Sequence, residues 1–187
     1  MAIDLEQERE LVERARHDTE TFGQLYDQNY GRIFGYVLRR TASVPVAQDV
    51  TSDVFFKALK NLGRFRWQGV PFSAWLYRIA SREIANYYRK SRREAAHAMQ
   101  PAWDGDPAGN PLSVEVAQAE DILIRHEEYL SLHMTITQLP LKYQEVITLR
   151  FFEDRRIKEI AQIMGKREGT VKSLLHRGLE RMRNLMD

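Results

Sequence analysis

Apolar residues return every third or fourth position along nearly the whole chain, and no stretch alternates with a period of two. That pattern predicts an all-α protein. An acidic helix is expected from about Asp4 to His17 and a second from about Glu20 to Arg40. Pro45, placed where a first helical turn tolerates proline, opens a third helix that runs to Leu62 and is ended by Gly63. After a loop from Gly63 to Val70, Pro71 opens a long helix reaching about Arg93. From Glu94 to Leu112 the helical stripe disappears among Pro101, Gly105, Pro107, Gly109 and Pro111, which is the composition of a linker. Helical period resumes from Val114 to Gln138, and Pro140 opens a helix ending near Phe152. Two short helices follow, Ile157 to Met164 and Glu168 to about Leu185, hinged at Gly165.

The 187 residues, 43% of them apolar, can build one large or two small helical domains. The absence of cysteine excludes disulfides, thiolate catalysis and cysteine-ligated zinc. The first residues are too acidic for a signal peptide, and no apolar run reaches the length needed to cross a bilayer, so a soluble, cytoplasmic protein with no membrane insertion is expected. A net charge of only +2 conceals strong segregation. Pro71 to Arg93 holds six Lys/Arg against one acid, and Arg155 to Arg183 holds nine against three; Glu94 to Glu128 holds eight acids against one Arg. Two basic blocks held apart by acidic chain suit a protein that meets a polyanion at two separate places.

In the last two helices Ile157, Ile160, Ala161 and Met164 form one apolar stripe and Val171, Leu175, Gly178 and Met182 a matching one, with Gly165 at the turn. This is the layout of a helix-turn-helix, in which the second helix offers side chains to base edges. Thr170, Ser173, His176 and Arg177 are turned away from the stripe, and Lys166, Arg167 and Lys172 flank it as phosphate-seeking cations. An ordinary helical hairpin with a solvated basic face has the same pattern.

Seven aromatics crowd into Phe65 to Tyr88. Phe72, Leu76, Ile79, Ala80 and Ile84 make the buried stripe of the long helix, with Trp75 at its border. Arg78, Arg82, Asn86, Arg89 and Arg93 fall within about 80° of one another at helical pitch, a basic ridge beside the rings. Phe65, Arg66 and Trp67 lie in a loop, where an aromatic has no helix face to bury into. Cations beside stacking faces hold unpaired bases, at about 1–3 kcal/mol per stacked base; the alternative for Trp67 is a cap on the domain core. A duplex reader at one end and a single-strand reader at the other suit a protein that finds a duplex site and opens DNA nearby.

Four segments, AQDVTSDVFFKAL (Ala47 to Leu59), GRFRWQGVPFSAWLYRIA (Gly63 to Ala80), LPLKYQEVITLRFFED (Leu139 to Asp154) and IKEIAQIMGKREGTVKSLLHRGLERMR (Ile157 to Arg183), resemble the signatures of bacterial sigma factors of the extracytoplasmic-function (ECF) group of the sigma-70 family. The resemblance implies a two-domain factor: region 2 over 1–93, a linker over 94–125 and region 4 over 126–187. It implies as partners core RNA polymerase, through the clamp of the β′ subunit and also the β flap, promoter DNA, and an anti-sigma factor. Region 2 would recognise and melt the −10 element through Phe65, Arg66, Trp67, Arg78, Arg82, Asn86 and Arg89. Region 4 would read the −35 element through Lys166, Arg167, Thr170, Lys172, Ser173, Leu174, His176 and Arg177.

The family's clamp contact falls on the third helix, and helical geometry marks the same surface. Ala47, Val50, Thr51, Val54, Phe55, Ala58 and Leu62 share its core side, which leaves Gln48, Asp49, Ser52, Asp53, Phe56 and Leu59 outward, two apolar anchors beside two carboxylates. The chain departs from the family pattern at Gln48, usually an acid, at Ser52, usually Gln, at Arg82, commonly Asn, and at Leu174, often Arg. No enzymatic activity and no cofactor are expected, since the polymerase performs the chemistry. A stand-alone regulator would need the hairpin but no stacking platform. A metal-dependent nuclease would need ligand spacing that His17, His97, His126, His133 and His176 lack.

Overall fold

The computed structural model describes residues 5–97, 132 and 134–186, and among them all regular structure is helical. Helix α1 spans Leu5–Ala15, α2 Thr19–Thr41, α3 Val44–Asn61 and α4 Phe72–His97. After a helical stretch at 134–138 come α5, Leu141–Ile147, then α6, Ile157–Met164, and α7, Glu168–Met186. The predicted linker beyond His97 and most of the predicted 114–138 helix lie outside the described residues.

Local chemistry explains the boundaries. Asp18 caps α2, its carboxylate accepting from the Glu20 and Thr21 backbone N–H groups at 3.0 and 3.1 Å. The Thr21 hydroxyl and these N–H groups hold the Asp18 carboxyl below its ordinary range. Ala42, at φ 51°, closes α2 in the left-handed conformation, and Ser43 immediately caps α3. Gly63 does not stop α3 by itself: the helix tightens into a 3-10 turn over Leu62–Arg64, closed by the Phe65 N–H on the Leu62 carbonyl at 3.1 Å. Pro71 and Pro140 stand just before α4 and α5 rather than inside their first turns. Helix α4 runs four residues past Arg93, because Glu94, Ala95 and Ala96 favour helix and no breaker comes before Pro101.

Helices α1 to α4 pack mutually around Leu25, Ile33, Val37, Val54, Phe72, Leu76 and Ile84. In the second group α7 packs along α5 and against α6 around Val146, Ile147, Ile160 and Val171. Gly178 permits the close crossing, since a Cβ there would come within 3.1 Å of the Ile147 side chain. Beyond α5 the helical winding widens over Thr148–Phe152, with the Glu153 N–H reaching back five residues to the Thr148 carbonyl. This π-turn carries the chain onto α2, and α6 lies on α4. The two helical groups therefore share a seam.

Candidate nucleic-acid interface

The hairpin is built as its stripes require. Ile160, Ala161, Val171 and Gly178 are buried between α5, α6 and α7, with Met164 and Leu175 half-buried at the edge. Gly165, at φ 63°, makes the turn: the Lys166 N–H bonds the Ala161 carbonyl at 2.9 Å, the closing pattern of a helix C-terminus that needs a left-handed residue. Thr170, Lys172, Ser173, His176 and Arg177 stand exposed on α7, with Lys166 and Arg167 exposed ahead of it. Ser173 donates to the Gly169 carbonyl at 3.1 Å, and Arg177 Nε to the Ser173 carbonyl at 3.2 Å, which orders both against the helix surface. Leu174 requires correction. It is 4% exposed and packs in the hairpin core, so it cannot touch a base edge, and the departure from Arg at this position is a packing choice.

The loop before α4 also differs from its expectation. Phe65 does find apolar surroundings: its ring lies edge-on to Phe72 at 5.6 Å and tilted against Trp75 at 4.8 Å, while Trp67 packs edge-on to Phe65 at 6.3 Å. All three of Phe65, Trp67 and Trp75 stay half-buried, so ring surface remains accessible. Arg16 fixes the loop by donating to the Phe65 carbonyl at 2.6 Å. Beside these rings lies a cavity of about 270 Å³ whose walls include Phe65, Arg66, Trp75 and Arg78. Arg82, Asn86 and Arg89 continue outward along α4, exposed, with Arg89 donating to the Asn86 side-chain oxygen at 2.6 Å. Arg78 leaves this ridge. Its guanidinium is hydrogen-bonded to the Gln162 carbonyl of α6.

Residues 25–94 match the family model described as Sigma-70 region 2, and residues 129–182 that described as Sigma-70, region 4. The chain is 33% identical to the RNA polymerase sigma-H factor of Pseudomonas aeruginosa, covering 94% of this chain and 91% of that protein. It is 32% identical to the ECF RNA polymerase sigma factor BldN of Streptomyces coelicolor, covering 95% of this chain and 65% of BldN. This chain is an ECF sigma factor of the sigma-70 family. A solved structure of CnrH, in complex with the cytosolic domain of CnrY, shares its fold with a TM-score of 0.69 at 20% identity, covering 96% of this chain and 97% of that one.

In region 2 of the factor, α3 presents the outward face that its periodicity marks. Gln48, Asp49, Ser52 and Asp53 are exposed, Phe56 is 64% exposed and Leu59 42%, whereas Ala47, Val50, Thr51, Val54, Phe55, Ala58 and Leu62 are buried. Phe56 and Leu59 are thus left bare beside the two carboxylates Asp49 and Asp53 on one helix face.

The seam between regions 2 and 4 is where sequence reasoning missed residues. Arg40 is 1% exposed, donating to Tyr36 Oη at 2.6 Å, Ser81 Oγ at 3.2 Å and the Leu141 carbonyl of α5 at 3.3 Å. Tyr77 donates to Glu153 at 2.5 Å, Arg39 pairs with Glu153 at 3.6 Å, and the Arg155 guanidinium lies over the Tyr77 ring. Burial pushes the Tyr36 and Tyr77 hydroxyls far above the ordinary tyrosine range, so both remain protonated donors or acceptors at any working pH. One signal was available: Ile33, Tyr36, Val37 and Arg40 follow helical core spacing, which places a cation inside an apolar stripe. Among the described residues no group of three or more histidines or acids could hold a metal ion, and no helix is long and apolar enough to cross a membrane.

Proposed function

We propose that this chain is a promoter-specificity factor that binds core RNA polymerase, places it on particular promoters and holds the melted strand. The observation that carries the reading is the presence on one chain of two different exposed readers, a helix-turn-helix with a polar outer face and a half-buried aromatic loop beside arginines. Residues 1–93 act as region 2, 94–125 as a linker and 126–187 as region 4. Thr170, Ser173, His176 and Arg177 meet base edges of the −35 element, with Lys166, Arg167 and Lys172 on phosphates. Phe65, Arg66 and Trp67 receive an unpaired base of the −10 element, and Arg82, Asn86 and Arg89 track the strand, with Arg78 held on the Gln162 carbonyl.

The α3 face, with Asp49, Asp53, Phe56 and Leu59 as contacts and Gln48 and Ser52 on its rim, docks on the β′ clamp, and region 4 meets the β flap. The factor performs no chemistry itself and works in the cytoplasm, held in check by an anti-sigma protein. Run-off transcription with purified core polymerase on fragmented genomic DNA tests the reading: discrete new transcripts that require the factor are expected. Tight promoter binding by the free chain, with no dependence on polymerase, would overturn it.

A further inference from the structure

Helix α1 and the turn that follows it precede the residues that match the region 2 model, which begin at 25. Their side chains nevertheless hold both ends of the aromatic loop. At its start Arg16 donates to the Phe65 carbonyl at 2.6 Å, and at its end the Glu8 carboxylate accepts from the Phe72 N–H at 3.1 Å.

The two pins are themselves fixed. Glu8, Val12 and Ala15 fall within about 60° of one another at helical pitch, and all three are buried, so α1 turns this face inward where it packs on α2 and α4. Glu13 pairs with Arg16 at 2.6 Å, which orients the guanidinium that reaches Phe65.

Between the pins the loop has few other ties. Among the described residues no backbone hydrogen bond engages 66–70, and Gly69, at φ 70°, turns the chain back toward Pro71. Trp67 rests edge-on against Phe65, the residue whose carbonyl Arg16 holds, so loosening Phe65 loosens Trp67. A loop fixed before its ligand arrives loses less freedom on binding and keeps one shape against the wrong ligand.

We propose that α1 is a brace for the strand reader: Arg16 and Glu8 are positioning residues that hold the loop from Phe65 to Phe72 in the shape that accepts one unpaired base, without meeting DNA themselves. This rests on the reading of Phe65, Arg66 and Trp67 as the receiver of that base. Selectivity at the base the loop reads, rather than promoter affinity as a whole, is then the property that α1 sets.

The chain has no cysteine, so Gln68→Cys, at an exposed loop position, takes a single spin label. Arg16→Met keeps the stem and removes the donors; it is expected to narrow the label's spectrum as the loop gains motion, and Arg16→Lys, which keeps a donor, to restore it. Glu8→Ala and Glu8→Gln form the corresponding pair at the other end, since Gln keeps an acceptor for Phe72. The same variants without the label, assembled with core polymerase, then select from promoters randomised across the −10 and −35 elements. With Arg16→Met or Glu8→Ala, discrimination is expected to fall about tenfold at one −10 position, equal to about 1.4 kcal/mol, and to stay unchanged at −35. Arg16→Lys and Glu8→Gln should retain it.

A mobile loop with undiminished −10 discrimination overturns the brace, and so does a loop that stays rigid in both Arg16→Met and Glu8→Ala. Equal losses at −10 and −35, or a loss that the conservative variants do not restore, would mean general instability and also overturn it. Trp67→Ala separates these failures from that of the underlying reading: if it too leaves every −10 position discriminated as before, the loop holds no base and both ideas fall.

Discussion

Burial at single positions sets the behaviour of two side chains most sharply. Glu8 of α1 is 8% exposed and its carboxylate accepts from the Phe72 N–H at 3.1 Å, capping α4 from another helix. Desolvation by burial raises its carboxyl above the ordinary range, opposed by the Phe72 hydrogen bond and by the fields of Arg155 and Arg32. A raised carboxyl contributes stability that is fully present below its unfolded value and lost as pH rises through the folded value. At neutral pH the carboxyl is therefore a cost relative to a neutral isostere. Glu8→Gln, which keeps an acceptor for Phe72, should melt at or above the parent temperature at pH 7, with the advantage fading towards about pH 4. Glu8→Ala should lose about 1 kcal/mol with the cap; thermal melts across pH check both. Leu174→Arg, which by family analogy would restore a groove contact, should instead destabilise region 4 by at least about 2 kcal/mol, because the charge enters a packed core. A lower melting temperature checks this, and a stably folded variant with a new −35 preference would refute the core placement.

At the scale of elements, α3 and α7 each carry a face that the fold does not use. Phe56 on α3 contributes little to folding at 64% exposure, so Phe56→Ala should change stability by no more than about 0.5 kcal/mol. If that face docks on polymerase, the same change should weaken core binding by about 2 kcal/mol or more. The pair of measurements, chemical denaturation and core-polymerase titration, separates an interface from an incidental surface residue. On α7, Ser173→Ala and Arg177→Ala remove polar atoms from a solvent-facing helix surface and should leave the melting temperature nearly unchanged. Promoter discrimination at the −35 element should fall by about 1–3 kcal/mol for a lost base contact. Template competition between promoters with and without that element reads the difference; equal loss on both would mean the side chains do not read bases.

For the whole molecule, the segregated charge determines how the free chain meets DNA. Acidic stretches offset both basic blocks and leave only +2 overall, so few phosphates are neutralised at once. Duplex binding by the isolated factor should be weak and should fall steeply with salt, with sequence preference gained only alongside core polymerase. Salt titrations of the factor alone and of the assembled enzyme, on one promoter and one unrelated duplex, check this.

The period of the apolar residues determined the helices, because each helix must hide one stripe and the spacing of that stripe is written locally. The buried and exposed sides of α3 and the exposed polar face of α7 were legible for the same reason. Leu174 was not: it sits at the edge of its stripe, and only the approach of neighbouring helices decides which side of the edge is covered. Phe65 and Trp67 likewise lie in a loop with no period to read, and their partners come from α4 across the turn. Arg40, Tyr77 and Glu153 belong to hydrogen-bonded pairs 76 and 101 positions apart, Tyr77 with Glu153 and Arg40 with Leu141. Such pairings depend on how one helical group is placed against another, and that placement is decided by shape and hydrogen bonding at the seam rather than by any pattern along the chain.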